Sequence, residues 1–412
     1  MINNAERRLR LTTAEVAKRL GVKRQSVYAY VSRGLLSPER DRRGSTFDAA
    51  QVERLAATSR RAAAAGRVGR GGPTLGFVTG ITLIEDGRLF YRGEDAVASS
   101  VERSFEEVAG WLWTASWPST SGDSSWNGGS PESLRLAKFA ASVLPDPTMP
   151  ADRFKVVVAA AATVDPWRHH LGPDSVISTA KTIISTMVDS LPVTGRNARR
   201  IQAGGGIAAR LWPRLTALVA TPARVDMLDS ALALVADHEL AASTLAARVA
   251  AAFGADPYAV VSTGLGAAAG ALHGANSAEV VALLDDALRV GPGEAMAQRL
   301  RRGGVVAGFG QVLYPDGDPR GRELVRRVSE LDLPLRRRAA IDAVLGLAHE
   351  RGLPPPSVDF GLAALVFGQS MIPGAGEAIF TLGRTAGWIA HAMEEYASRT
   401  DFRVRASYVG PR

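Results

Sequence analysis

From about Ser104 onward the chain is a succession of Ala-, Leu- and Val-rich segments, each interrupted by Gly, Pro or Asp. The first three residues favour or tolerate helix, and the breakers fall where helices end, so the pattern dictates a mainly α fold. Several segments are apolar most of the way round. DHELAASTLAARVAAAFG (237–254), for example, predicts a helix buried in a thick helical body. The exceptions lie early in the body. ITLIEDGRLFYRGED (81–95) reads as a β-hairpin turning at Asp86-Gly87. SWPSTSGDSSWNGGSPES (116–133) reads as an exposed loop.

With 412 residues, 46% hydrophobic and 22% charged, the chain is long enough for two or three globular domains. No apolar run reaches the roughly 18 residues of a membrane span. MINNAERRLR lacks the apolar stretch of a signal peptide, so a cytoplasmic protein is expected. Cysteine is absent, which excludes disulfides, thiolate nucleophiles and cysteine-ligated metals. The six histidines show no H-x-x-x-H or H-E-x-x-H spacing, so no metal site is expected.

The net charge of +8 is concentrated at one end. Residues 1–70 carry 16 Lys and Arg against 6 Asp and Glu, while the remainder carries 33 against 35. A small basic head on a near-neutral body is the distribution of a nucleic-acid-binding module attached to something else. Within the head, LTTAEVAKRLGVKRQSVYAYVSRGLL begins with a capping box, Thr12 and Glu15. Val16, Ala17 and Leu20 form one apolar face. Gly21 allows a turn, and a second short helix sets Val27 and Val31 inward, with Lys23, Arg24, Gln25, Ser26 and Tyr28 outward. Those are the side-chain types of a recognition helix in a major groove. LLSPERDRRGSTF then reads as a hairpin wing bearing Arg40, Arg42 and Arg43, followed by a closing helix. The arrangement resembles the winged helix-turn-helix of the MerR and excisionase families. Residues 1–58 are assigned to this head and the small, basic, glycine-rich stretch 59–73 to a linker.

GFGQVLYPDGDPR (308–320) is too broken by Gly and Pro for a helix. It combines a backbone-exposing turn, a neutral amide at Gln311 and a guanidinium at Arg320. Among the histidines, His169 and His170 sit in a polar surface stretch, and His349 and His391 read as solvated or core-edge helical residues. His238, in DHEL, sits between Asp237 and Glu239, and His273, in GALHGAN, lies where glycines, alanine and Asn276 leave an imidazole accessible.

YRGED, SFEEVAGWLW, DHELAASTLAARVA, GALHGAN, GFGQVLYPDGDPR, SVDFGLAAL, GRTAGWIAHAMEE and RVRASYVG occur in that order between 91 and 410. Together they resemble the citrate synthase family across residues 75–412. The resemblance implies a citrate synthase-like two-domain all-helical fold, with a large domain at 74–274 and 362–412 and a small domain at 275–361. It implies condensation of acetyl-CoA or propionyl-CoA with oxaloacetate through an enol, then hydrolysis of the thioester. No cofactor is required, acyl-CoA being a substrate. On the matching positions, His273 would hydrogen-bond the thioester oxygen, and Asp359 would take the α-proton. His238, Arg320 and Arg384 would bind the oxo acid, and Arg403 would complete the partner's site in a homodimer.

The chemistry requires such groups. A thioester α-proton is weakly acidic, so a carboxylate must act together with a donor to the thioester oxygen. Guanidiniums hold the carboxylates of a small dianion in fixed orientation. The departure is Gln311, where the family places a histidine that polarises the ketone. An amide still donates a hydrogen bond but carries no charge and transfers no proton. Two readings follow: an acyltransferase of altered or reduced activity, and a DNA-binding regulator whose body senses oxaloacetate, citrate or acyl-CoA.

Overall fold

The computed structural model describes residues 10–20, 26–27, 30–31, 36–41, 44–48, 52, 78–117, 126, 130–195, 205–270, 276–301 and 306–398. Residues 59–73, His273, Arg403, Lys23, Arg24, Gln25, Tyr28, Arg42 and Arg43 lie outside them.

In the head, the Thr12 hydroxyl and peptide N–H both donate to the Glu15 carboxylate, and Glu15 N–H donates back to the hydroxyl. This reciprocal cap opens the helix Thr13–Leu20, whose Val16 and Ala17 are buried. The wing is an antiparallel pair, Pro38–Asp41 with Gly44–Asp48, in the register Arg40 to Ser45. The sequence pattern did not reveal a third strand, Arg10–Thr12, which pairs with Gly44–Asp48. Its three residues carry no readable alternation, and pairing alone defines it. Val16, Val27, Leu36, Phe47 and Val52 close a small separate core.

The body opens with the expected hairpin, Thr82–Glu85 against Arg88–Tyr91. Asp86 (φ 49°) and Gly87 (φ 74°) supply the two left-handed residues of its turn. A two-residue strand, Glu94–Asp95, extends the sheet. Among the described residues helices make up most of the rest, from Ala96–Glu102 to the long helix Ala375–Ser398. That last helix is the axis of the body: residues from Ala375 to Ala392 along it are buried almost without interruption. At Gly383 and Gly387 it runs against the backbone of residues 232–236, where a Cβ would come within 2.6 Å of the Leu232 carbonyl and 2.4 Å of the Ala236 carbonyl. Any larger residue would push the two segments apart.

Two expectations need correction. Trp126, in the stretch read as an exposed loop, is buried at 3% exposure and stacks on Trp113 at 5.3 Å. Its apolar area outweighs the polar residues flanking it. The helix Ala242–Ala252 is not buried on every side: Leu245, Val249 and, just past its end, Phe253 form an exposed row at four-residue spacing. A single chain does not supply enough neighbours to cover that face.

Candidate functional site

Three segments converge on the candidate residues. In the first, 308–320, Gly308 (φ 87°) and Gly310 (φ 81°) hold left-handed conformations with the side chains of Val280, Phe360 and Pro354 packed close by. A Cβ on Gly308 would lie 2.7 Å from Val280. This lets the stretch pair with the residues before Asp359. Gly310 N–H donates to the Pro355 carbonyl and Ser357 N–H to the Gly308 carbonyl, both at 2.8 Å. The helix Val358–Gly368 starts there, with Asp359 half-buried in its first turn.

Arg320 and Asp318 form a bidentate pair, Nε to Oδ1 at 3.0 Å and Nη2 to Oδ2 at 2.9 Å. Asp318 also accepts the Val358 N–H at 3.1 Å, so one carboxylate fixes both the Arg320 guanidinium and the start of the Asp359 helix. Burial pulls the Arg320 pKa down, but the adjacent Asp318 charge overcomes it and the net direction is up.

Gln311 and Tyr314 close a tight turn, with Tyr314 N–H on the Gln311 carbonyl at 3.0 Å. The Gln311 side-chain oxygen receives the Leu313 N–H at 3.4 Å, and its amide nitrogen donates to no described residue. The Tyr314 hydroxyl, turned inward, meets His238 Nε2 at 2.9 Å. Burial pushes this phenol upward, so it stays protonated.

The second segment is the shelf Asp237–His238–Glu239. Glu239 is left-handed (φ 55°), a conformation a glutamate adopts only where its surroundings hold it. The Asp237 carboxylate does so: Oδ2 accepts the Glu239 N–H at 3.1 Å, the Thr82 hydroxyl at 2.6 Å and His391 Nε2 at 3.3 Å. Tyr91 reinforces the shelf by donating toward the Asp237 carbonyl at 3.1 Å. Burial by itself would raise the Asp237 carboxyl. His391, the Arg384 charge and the Thr82 hydroxyl together lower it.

The third segment is the helix Ala375–Ser398, which supplies Arg384. Its Nε donates to the Val235 carbonyl at 2.7 Å, and its two Nη atoms donate to no described residue. With the residue only 1% exposed, this is a desolvated cation with its fork unfilled. Burial lowers its pKa against the opposing charge of Asp237.

His238 and Gln311 thus meet at Tyr314, whose ring lies 5.6 Å from the Arg320 guanidinium carbon. Asp318 ties Arg320 to the N–H of Val358 beside Asp359, and Arg384 enters the charge environment of this group through Asp237. The sequence reading missed Tyr314, Asp318 and Asp237, and placed His391 at a core edge or in solvent. His391 is fully buried. Arg248 Nη1 lies 2.9 Å from its Nδ1. A guanidinium only donates, so Nδ1 is the acceptor and the proton sits on Nε2, facing Asp237. Adjacency of Asp237 to His238 was the one available sequence signal. His169, His170 and His349 are exposed, as expected. Ser26 is helical and half-buried, and Arg40 lies on the wing strand. Among the described residues no cluster of His, Cys, Asp and Glu could hold a metal, and no helix is long and apolar enough to cross a membrane.

The fold is thus a helical body in which buried guanidiniums and a histidine shelf face one site, with a winged helix-turn-helix ahead of it in the chain. The comparisons give that class its family. Residues 73–405 match the model of the citrate synthase C-terminal domain, and residues 11–60 match that of the MerR HTH family of regulatory proteins. The chain belongs to the citrate synthase family. It is 31% identical to citrate synthase 2 of Bacillus subtilis over 210 residues, which is 50% of this chain and 56% of that protein. Against 2-methylcitrate synthase 1 of Corynebacterium glutamicum it is 27% identical over 79% of this chain and 90% of the relative. The chain thus spans about half the length of the first of these relatives and most of the second. The citrate synthase structure from Thermotoga maritima superposes with a TM-score of 0.66 at 22% identity, over 82% of this chain and 95% of that one. A structure from Thermoplasma acidophilum, a ternary complex of citrate synthase with carboxymethyl coenzyme A and oxaloacetate, gives 0.63 at 21% identity, over 83% and 95%.

Proposed function

We propose that the body condenses a short acyl-CoA, acetyl-CoA or propionyl-CoA, with oxaloacetate and hydrolyses the resulting thioester. The observation that carries this reading is the gathering of His238, Gln311, Arg320 and the start of the Asp359 helix around Tyr314 and Asp318, beside the unfilled fork of Arg384. The Thermoplasma relative, crystallised with oxaloacetate and a coenzyme A derivative, supports the same substrate pair.

In this reading the Asp359 carboxylate takes the α-proton of the acyl group while His273 hydrogen-bonds the thioester oxygen. The enol carbon attacks the ketone carbon of oxaloacetate, and the ketone oxygen, taking up a proton from water, becomes the alcohol oxygen of the product. Arg320 and Arg384, with the partner subunit's Arg403, hold the oxo-acid carboxylates. Water then cleaves the thioester, releasing CoA and citrate or 2-methylcitrate. Gln311 donates its free amide N–H to the developing alkoxide. Deleting one such donor typically costs ~10²–10³ in rate, and replacement by a neutral donor costs less.

The exposed row Leu245, Val249 and Phe253 supports a homodimer, which would cover it. The head would bind DNA through Lys23, Arg24, Gln25, Ser26 and Tyr28 on its second helix, and through Arg40, Arg42 and Arg43 on the wing. Two heads in a dimer would read half-sites separated by whole helical turns. The match to a regulatory family at residues 11–60, together with Gln311, favours a second reading in which the body mainly senses its ligands.

The test is release of free CoA from each acyl-CoA in the presence of oxaloacetate. Turnover well above that of Asp359→Ala is the expected result. Turnover equal to that variant, with oxaloacetate still bound, would leave the sensor.

A further inference from the structure

Asp237 joins two places that the proposed chemistry does not connect. On one side is the strained turn at Glu239 that presents His238. On the other is the segment 78–82, by which the chain enters the body after the head and the stretch that follows it. Thr82, only 6% exposed, gives its hydroxyl to Asp237 Oδ2 at 2.6 Å. Two residues earlier, Gly80 N–H donates to Glu394 at 2.8 Å. Glu394 is bonded in turn by Arg248, which also holds Glu395 and His391 Nδ1. His391 closes the circuit on Asp237. The entry segment is therefore tied twice to one buried charged cluster, and that cluster holds the His238 turn. Asp237 Oδ1 has no hydrogen-bond partner, so the carboxylate's three donors all compete for Oδ2.

We propose that Asp237 is a positioning residue that locks the His238 turn to the entry strand, so that the two segments order together. The geometry requires it: Thr82, Glu239 and His391 approach a single oxygen from three different elements, and moving any one re-aims the others. Resting on the reading of His238 and Arg384 as oxo-acid ligands, a further consequence follows. A dianion on Arg384 lies next to the Asp237 charge, so occupancy of the site is transmitted to residues 78–85.

The test uses the full chain, with Thr82→Val and Thr82→Ser, and hydrogen–deuterium exchange of peptides covering 237–240 and 78–85. Valine keeps the shape of threonine and removes the hydroxyl; serine keeps the hydroxyl. Without ligand, Thr82→Val should speed exchange at 237–240 by about tenfold, the loss expected of a bond to a charged group, while Thr82→Ser matches wild type. Saturating oxaloacetate should slow both peptides in wild type and Thr82→Ser, and only 237–240 in Thr82→Val. Ligand-free exchange at 237–240 unchanged by Thr82→Val would overturn the lock, whatever oxaloacetate does. Faster exchange in that variant, with no response to oxaloacetate in wild type, would uphold the lock and remove the oxo-acid assignment instead.

Discussion

The head and the body handle the same residue type in opposite ways. Across the head and most of its linker, residues 1–70, basic residues outnumber acidic ones by 16 to 6, around a head core of a few side chains. In the body the charges nearly balance, and three arginines go fully inside: Arg248, Arg320 and Arg384 are each about 1% exposed and held by carboxylates or carbonyls. Cations in excess on a small module act through a long-range field on any polyanion. Cations buried and counted act at contact, on a ligand of one shape. The difference is between attraction and recognition.

Ionic strength should separate the two most widely. If the head binds DNA through six or more phosphates, its affinity should fall by about 10³ between 50 and 200 mM salt. Oxaloacetate affinity should change by less than about tenfold over the same range, because a desolvated site is poorly screened. Fluorescence anisotropy for DNA and calorimetry for oxaloacetate measure the two slopes. Parallel slopes would break the comparison.

Single substitutions come next. Arg384→Leu should weaken oxaloacetate binding by about 10²-fold, since two charge-assisted hydrogen bonds are lost, and Arg384→Lys by about tenfold, since a point charge replaces a fork. Arg42→Ala in the head should weaken DNA binding only severalfold and reduce the salt slope by about one. Titrations of each variant decide. An Arg384→Leu protein that binds oxaloacetate normally would remove Arg384 from the site.

How far the sequence foretells each region follows from the range of its contacts. The capping box at Thr12 and Glu15 and the turn at Asp86-Gly87 are local, and both were legible. So was the helical body, because apolar periodicity is itself a local signal. The His391–Asp237 contact spans 154 positions and the Arg248–Glu395 contact 147, and no spacing rule reaches that far. Trp126 was misjudged for the same reason: its neighbours in sequence are polar, while Trp113 and Phe105 arrive from another element. Family motifs pointed to His238, Arg320 and Arg384, but not to Tyr314 and Asp318, which hold two of them in place.

Gln311 bears on how finely the body's recognition is tuned. Gln311→His should raise condensation by about tenfold if the amide already supplies a donor, because an imidazolium adds charge and a transferable proton to an existing hydrogen bond. A rise of 10³ or more would mean that the amide donates nothing. Initial rates of CoA release, compared at saturating oxaloacetate, distinguish the two.

The smallest effect compares two carboxylates with the same task. Glu15 in the head and Asp229 in the body each accept a backbone N–H at the start of a helix, from Thr12 and Phe105. The backbone and hydroxyl bonds of Thr12 lower Glu15, which is largely exposed, whereas burial and then the nearby Glu106 raise Asp229 well above the usual range. Their contributions to stability therefore run in opposite directions with pH. The bonds to Glu15 stabilise the head above its unfolded pKa and are lost as pH falls through the lower folded value. The Asp229 carboxyl favours the fold below its unfolded pKa of about 3.9, and that benefit is lost as pH rises through the higher folded value. Asp229→Asn retains the acceptor without the charge, so at pH 8 it should raise the melting temperature by about 2–4 °C. The gain should shrink steadily toward pH 4, where the native carboxyl is neutral as well. Equal melting temperatures for the two proteins at pH 8 would mean that burial imposes no cost on this charge, and the contrast between head and body would then rest on the arginines alone.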